Sequence, residues 1–296
     1  MRTIISFSGG LDTAYLAYKF LTETDDEITL VYLDTSMLDN NDKHKGVMMF
    51  NNNITSGSNK FIAKRTSDWL YKNTRHFVFK TKTISSILPD ESLNVLFARY
   101  AAKLMNDNLY DRACGGWNWD IFCDEAFEDH YPKHPQVIGT NRAFTQVSKR
   151  GEFFWPLVDH MFDYRQGNVH ALAHLPKELT EIAVGCEDIH FNEKNQNIEI
   201  CGKCTKCMWR TFCEKKLSEG WTPNQVQEYR LKKSKEFVPG KWSPMRFWIH
   251  EELGLTEGWS GTSEEAKEKI KNNKFWGNDH FRNLKNKGIW EGLLDV

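Results

Sequence analysis

Hydrophobic and polar positions alternate along the first part of the chain in a way that predicts repeated strand and helix. Residues 3–7 form a short apolar run and predict a strand. Residues 13–21 (TAYLAYKFL) place apolar side chains at helical spacing, and residues 28–33 (ITLVYL) form a continuous β-branched run typical of a strand buried on both faces. Strand, glycine turn, helix and buried strand is the opening of a parallel α/β sheet. Further on, 60–71 predicts a helix, 76–79 a third strand, 92–105 a helix, 112–114 a strand end and 179–184 another strand leading to Gly185 and Cys186. Between these, 34–59 is polar and rich in Asn and reads as a long loop, serving either as a lid or as a solvated insertion. The expected fold is a doubly wound α/β sheet.

The pattern changes after about residue 213. Six of the eleven Trp lie at 221, 242, 248, 259, 276 and 290, among many charges and few β-branched residues. Residues 262–265 match a capping box ahead of a helical stretch at 266–272. The expected organisation is a domain over 1–213, with a cysteine-rich knuckle at 186–207, and a Trp-rich helical extension over 214–296. That extension serves as packed helical core or as a homodimer face, in preference to a base-stacking platform.

Composition narrows the classes. With 40% hydrophobic residues the chain can build a sizeable core, and a formal net charge of −1 does not suit a general nucleic-acid coat or a membrane-surface binder. The N-terminus runs straight into a motif at Ser8, leaving no room for a signal peptide, and no apolar run reaches membrane-spanning length. A cytoplasmic protein without a membrane partner is the expectation, with nucleic acid disfavoured as a direct partner. Seven Cys, five of them between Cys186 and Cys213, argue for metal rather than disulfides in that compartment.

Two motifs carry candidate chemistry. Ser8-Gly9-Gly10-Leu11-Asp12-Thr13 sits between a predicted strand and helix. Two glycines let the backbone approach an anion, and the following helix directs its partial positive charge at the same place. Ser8 and Thr13 add hydroxyl donors, while Asp12 suits a Mg²⁺ ion or the orientation of the loop amides. No Gly-Lys-Ser/Thr follows, so this is not a Walker A loop. The string resembles the SGGxD(S/T) signature of the PP-loop, or N-type ATP pyrophosphatase, superfamily, which implies ATP binding and transfer of AMP to a carbonyl or carboxyl oxygen.

The second motif, Cys201-x₂-Cys204-x₂-Cys207, can wrap one tetrahedral metal ion. Cys186 is the expected fourth ligand, with Cys213 in reserve. The C-x₃-C-P continuation of a ferredoxin cluster is absent, which favours a structural Zn²⁺. With the preceding Gly185-Cys186, the segment CGKCTKCMWR resembles the zinc knuckle of the 7-cyano-7-deazaguanine synthases, the QueC family. Phe97-Ala98-Arg99-Tyr100, the turn Gly115-Gly116-Trp117-Asn118-Trp119-Asp120 and Pro156-Leu157 are similar to further segments of that family. Three departures stand out: 33–44 reads LDTSMLDNNDKH where the family has Gly-Gln-Arg-His; its lysine after Pro-Leu is missing, with Arg165 the nearest basic substitute; and the Trp-rich tail beyond Cys213 has no counterpart in the short family members.

The resemblance implies ATP contacts from Ser8, Gly9, Gly10, Leu11, Asp12, Thr13 and Leu33. It implies catalytic roles for Ser8, Asp12 and Arg99, and substrate contacts from Arg99, Gly116, Asn118 and Asp120. It also implies Zn²⁺ ligation by Cys186, Cys201, Cys204 and Cys207. The implied reaction is ATP- and Mg²⁺-dependent conversion of a small deazapurine carboxylate with ammonia to an amide and then a nitrile. A tRNA-modifying sulfur or nitrogen transferase and a descendant that binds a macromolecular partner are the alternatives. Arg99 in a surface ion pair, and Trp117 and Trp119 in plain core packing, remain equally open.

Overall fold

The structure is a computed structural model. It describes residues 1–34, 57–84, 92–120, 135–159, 161–162, 165–186, 189–192, 197–200, 202, 205–237, 249 and 252–253. The chain divides into two compact units, one comprising 1–119 with 140–210, the other 120–139 with 211–296.

The first unit is built on a five-stranded sheet in the order β3-β2-β1-β4-β5. Its strands are β1 (Arg2–Ser6), β2 (Glu27–Asp34), β3 (Val78–Thr83), β4 (Arg112–Cys114) and β5 (Phe153–Phe154), and every pairing is parallel. Successive strand side chains point to opposite faces. In β1 both Ile4 and Ile5 are fully buried, so both faces of the central strand are covered. That is why its sequence is a continuous apolar run without alternation.

Helix α1 (Leu11–Glu23) joins β1 to β2 and buries Leu11, Ala14, Tyr15, Phe20 and Leu21 in the core cluster. Lys19 lies on the same buried side; its ammonium pairs with Glu23 at 2.8 Å and sits over the Tyr15 and Phe162 rings. Helix α2 (Gly57–Asn73) precedes β3, and α3 (Leu93–Asn106), capped by the Ser92 side chain on the Val95 N–H, precedes β4. Then follow α4 (Pro135–Val147), α5 (Asn168–His174) and α6 (Lys177–Ile182). An antiparallel hairpin of β6 (Ile189–Asn192) and β7 (Asn197–Ile200) leads to α7 (Thr205–Ser218) and α8 (Pro223–Phe237).

One predicted strand is overturned. Residues 179–184 do not form a strand, because 177–182 is the helix α6. Pro176 opens it, Glu178 sits in its first turn, and Leu179, Ile182 and Ala183 recur at helical spacing. The Ala183 N–H closes the turn on the Leu179 carbonyl at 2.8 Å.

At the edge away from the strand C-termini, Arg112 lies between the Phe20 and Phe154 rings and forms an ion pair with Asp26. Thr3 Oγ1 donates to the same carboxylate at 2.5 Å. Burial pushes the Asp26 carboxyl up, but the hydrogen bonds from Thr3 and Arg112 outweigh it and hold the group below the ordinary value. Nearby, Arg2 donates through its backbone and side chain to Asp111, and those bonds bring the Asp111 carboxyl down to about 2.

In the second unit, Phe212 stacks on Tyr229 with ring centroids 5.9 Å apart, and Trp221 meets Tyr229 edge-on. Asp120 and Arg230, both buried, form an ion pair at 2.9 Å. The expected capping box at 262–265, the helix at 266–272, most of the 34–59 loop, and Cys201 and Cys204 lie outside the described residues.

Candidate functional site at the sheet switch point

The chain order of the strands reverses between β1 and β4: β2 and β3 follow on one side, β4 and β5 lie on the other. In open α/β sheets this reversal splays apart the loops that leave the strand C-termini, and ligands bind in the crevice so formed. Here those loops are 7–10, after β1, and 115–119, after β4. The first carries the start of the Ser8–Thr13 motif, and the second carries most of the Gly115–Asp120 turn.

The first loop is held in shape by its own hydroxyls. The Ser8 N–H donates to Thr13 Oγ1 at 3.2 Å, the Gly10 N–H donates to Ser8 Oγ at 3.3 Å, and the two hydroxyl oxygens lie 3.1 Å apart. Gly9 adopts φ +78°, and a Cβ there would stand 2.4 Å from Ala63 Cα. Thr66 Oγ1 reaches across from α2 to donate to the Gly9 carbonyl at 3.0 Å. Gly10 is the N-cap of α1 and offers no side-chain cap, so the first-turn N–H groups of a 13-residue helix open at the crevice. With the helix dipole behind them, they suit an anion.

The second loop meets the first through hydrogen bonds and close packing. Asn118, buried, donates through Nδ2 to Asp12 Oδ1 at 2.7 Å. A Cβ on Gly116 would lie 2.5 Å from Thr13 Cγ2, so only glycine permits this approach. Asn118 Nδ2 also donates to Asn168 Oδ1 at 3.1 Å, and the Trp119 N–H donates to the Gln166 carbonyl at 2.9 Å. The segment that opens α5 is thereby a third wall. Trp117 stacks on the buried Trp155 with centroids 4.8 Å apart, and the Arg165 guanidinium sits 4.7 Å from the Trp119 ring centroid. Arg165 has φ +68°, an uncommon conformation for a residue with a Cβ.

The structure thus brings together Ser8, Gly9, Gly10, Leu11, Asp12, Thr13, Gly116 and Asn118. Leu33 is buried near the C-terminal end of β2. Arg99 is exposed midway along α3. Asp120 belongs to the second unit, where its carboxylate pairs with Arg230. Of the expected metal ligands, Cys186 and Cys207 are described and both are buried. Among the described residues no group of three His, Cys, Asp or Glu could hold a metal ion. Cys213, the reserve ligand, is fully buried on α7; burial pushes its thiol up, Asp120 adds to this, and Arg230 opposes it. Cys114, at the end of β4, is likewise buried with a raised thiol.

Sequence reasoning missed Asn168. It stands in no motif, and only the packing of 166–168 against the β4 loop reveals it. An N-cap glycine followed by a short helical pattern was the available signal.

Comparison with protein-family models gives no match, and comparison with curated proteins gives none. Among solved structures the chain is similar to the U34-tRNA thiolase NcsA from Methanococcus maripaludis with its 4Fe-4S cluster. The identity is 11% and the TM-score 0.41, over 88% of this chain and 76% of that chain. At that score the site has to be judged on its own geometry. No helix among the described residues is long and apolar enough to cross a membrane.

Proposed function

We propose that the chain is an ATP-using enzyme of the PP-loop pyrophosphatase type, which activates an acceptor oxygen by adenylation. The supporting observation is the junction of the Ser8–Thr13 loop with the Gly116–Asn118 loop at the switch point, fastened by the Asp12–Asn118 hydrogen bond at 2.7 Å. The loop amides and the first turn of α1 supply donors where the pyrophosphate leaving group gathers negative charge. Ser8 and Thr13 hydroxyls, now bonded to each other, can rotate to the same oxygens. Asp12 is a hard oxygen ligand beside those donors, so the residues fit a magnesium ion shared with the phosphates. Bound there, Mg²⁺ would offset the charge of the departing pyrophosphate.

The finer reading follows the QueC resemblance. A deazapurine carboxylate oxygen attacks the α-phosphorus, and the α–β bridging bond breaks to release pyrophosphate. Ammonia attacks the resulting mixed anhydride, AMP leaves, and an amide remains after loss of a proton. The amide oxygen then attacks the α-phosphorus of a second ATP with release of pyrophosphate, and departure of AMP with loss of the two remaining amide protons leaves a nitrile. Both rounds use the same phosphate loop. Of the substrate contacts that the resemblance implies, Gly116 and Asn118 lie at the crevice; Arg99 and Asp120 rest on the resemblance alone. Zn²⁺ held by Cys186, Cys201, Cys204 and Cys207 would be structural, since four thiolates close the coordination sphere. Mass spectrometry of the acid incubated with ATP, Mg²⁺ and ammonium tests the reading. Amide and nitrile products support it. ATP consumption without either product retains the adenylating site and discards this acceptor.

A further inference from the structure

We propose that Asn168 is a positioning residue for the nucleotide site. It accepts a hydrogen bond from Asn118 and thereby fixes the Asp12 carboxylate as a cation ligand. The proposal rests on the ATP reading above.

A carboxylate only accepts hydrogen bonds, so the amide of Asn118 must present its nitrogen to Asp12. That nitrogen has two N–H groups. One lies on Asp12 Oδ1 at 2.7 Å and the other on Asn168 Oδ1 at 3.1 Å. Asn118 is 2% exposed, so solvent is poorly placed to replace either partner. If Asn168 is removed, the second N–H loses that acceptor, and the amide is held against Asp12 with one bond fewer. Rotation by half a turn would bring Asn118 Oδ1 against Asp12, two acceptors facing each other.

Asn168 itself is well placed to resist that rotation. It is the first residue of α5, directly after the N-cap Gly167. The Gln166 carbonyl receives the Trp119 N–H at 2.9 Å, so the segment that opens α5 is also joined to the β4 loop at the residue after Asn118. The chemistry of the relay also matters. A lysine or arginine on Asp12 would fix the carboxylate but would compete with a cation for its charge. A neutral amide orients the carboxylate and leaves its negative charge intact, as a Mg²⁺ ligand requires.

The test is the Mg²⁺ requirement for nucleotide binding. ATP affinity of the full chain is measured by calorimetry across a magnesium titration and in EDTA, beside melting curves, for wild type, Asn168→Ala and Asn168→Asp. One hydrogen bond has a net worth of about 1 kcal/mol, so Asn168→Ala is expected to raise the half-saturating Mg²⁺ concentration roughly fivefold. Its affinity in EDTA stays near wild type, while its melting temperature falls modestly, as the loss of a buried hydrogen bond requires. Asn168→Asp still accepts the Asn118 N–H and brings a further negative charge near the cation, so it does not show the raised Mg²⁺ requirement of Asn168→Ala. An unchanged requirement in Asn168→Ala overturns the positioning role alone. So does an equal loss of affinity with and without magnesium, since that marks a merely structural effect. A wild-type chain that binds no Mg²⁺·ATP overturns this proposal together with the reading beneath it.

Discussion

The two glycines of the phosphate loop look equivalent in sequence, yet they should fail in opposite ways when substituted. At Gly9, φ is +78° and an added Cβ would meet Ala63 Cα at 2.4 Å, Ala63 N at 2.6 Å and Ile62 C at 3.0 Å. All three are backbone atoms, which no rotamer change can move aside. The left-handed conformation costs an L-residue about 1–2 kcal/mol. Overpacking of this kind adds about 1–3 kcal/mol. Gly9→Ala should therefore lose roughly 2–5 kcal/mol, a fall of about 5–15 °C in Tm for a unit of this size. At Gly10, φ is −71° and the nearest atoms to an added Cβ are Ser8 Oγ at 3.4 Å and the Val184 carbonyl at 3.7 Å. Gly10→Ala should cost about 1 kcal/mol or less, the deficit of Ala as an N-cap. Its methyl group, however, stands where phosphate oxygens would approach the loop amides. Urea melts and calorimetric ATP titrations of both variants separate the effects: Gly9→Ala loses stability first, and Gly10→Ala keeps stability and loses affinity. Equal stability of Gly9→Ala and wild type would refute the packing on α2, and unaltered ATP affinity in Gly10→Ala would refute the placement of the anion.

Three further outcomes are expected. Elemental analysis should find one zinc per chain, and Cys204→Ala should lower the melting temperature before it affects turnover, because structural zinc sites contribute roughly 10 kcal/mol or more to folding; iron in that analysis would redirect the assignment to a cluster. Asp26 and Asp111 both have lowered folded-state values, so the stability they supply is fully present above their unfolded value, near about 4, and is lost as pH falls toward the folded values, about 2 for Asp111. Arg112→Met should accordingly raise the pH at which the chain unfolds in acid, and an unchanged acid midpoint would contradict the Asp26 assignment. Asp120→Ala breaks the buried ion pair with Arg230 and should cost about 3–5 kcal/mol, read as a shift in the urea midpoint; a shift below about 1 kcal/mol would mean that the ion pair is not what holds Asp120.

Much of the sheet was legible because its signal is local. β1 and β2 are continuous apolar runs, α1 has a clear apolar stripe, and the phosphate loop is defined by consecutive residues. The strand misassigned at 179–184 shows the limit: a short run containing Leu, Ile and Val suits either period, and Pro176 with Glu178 decides for a helix only once start signals are weighed. β5 is two residues long and has no periodicity to detect. The candidate site divides in the same way. Its loop residues were visible as motifs, including Asn118. The partner that fixes Asn118, Asn168, lies 50 positions on and becomes visible only when α5 meets the β4 loop. Asp120 sits inside a readable motif, but its partner Arg230 is 110 residues away in a helix that carries no signature.

Pyrophosphate release tests the central claim most directly. Wild type, Ser8→Ala and Asp12→Ala are compared in the presence of ATP, Mg²⁺, ammonium and a deazapurine carboxylate, with circular dichroism as a check on folding. Both side chains lie at the crevice and neither is part of the buried core, so both variants should fold, with Asp12→Ala melting somewhat lower because it removes the acceptor of the buried Asn118 amide. Each should release pyrophosphate roughly 100-fold more slowly, the usual effect of removing one group that stabilises developing charge. Wild-type rates of pyrophosphate release in both folded variants would contradict the claim that this loop handles the phosphates.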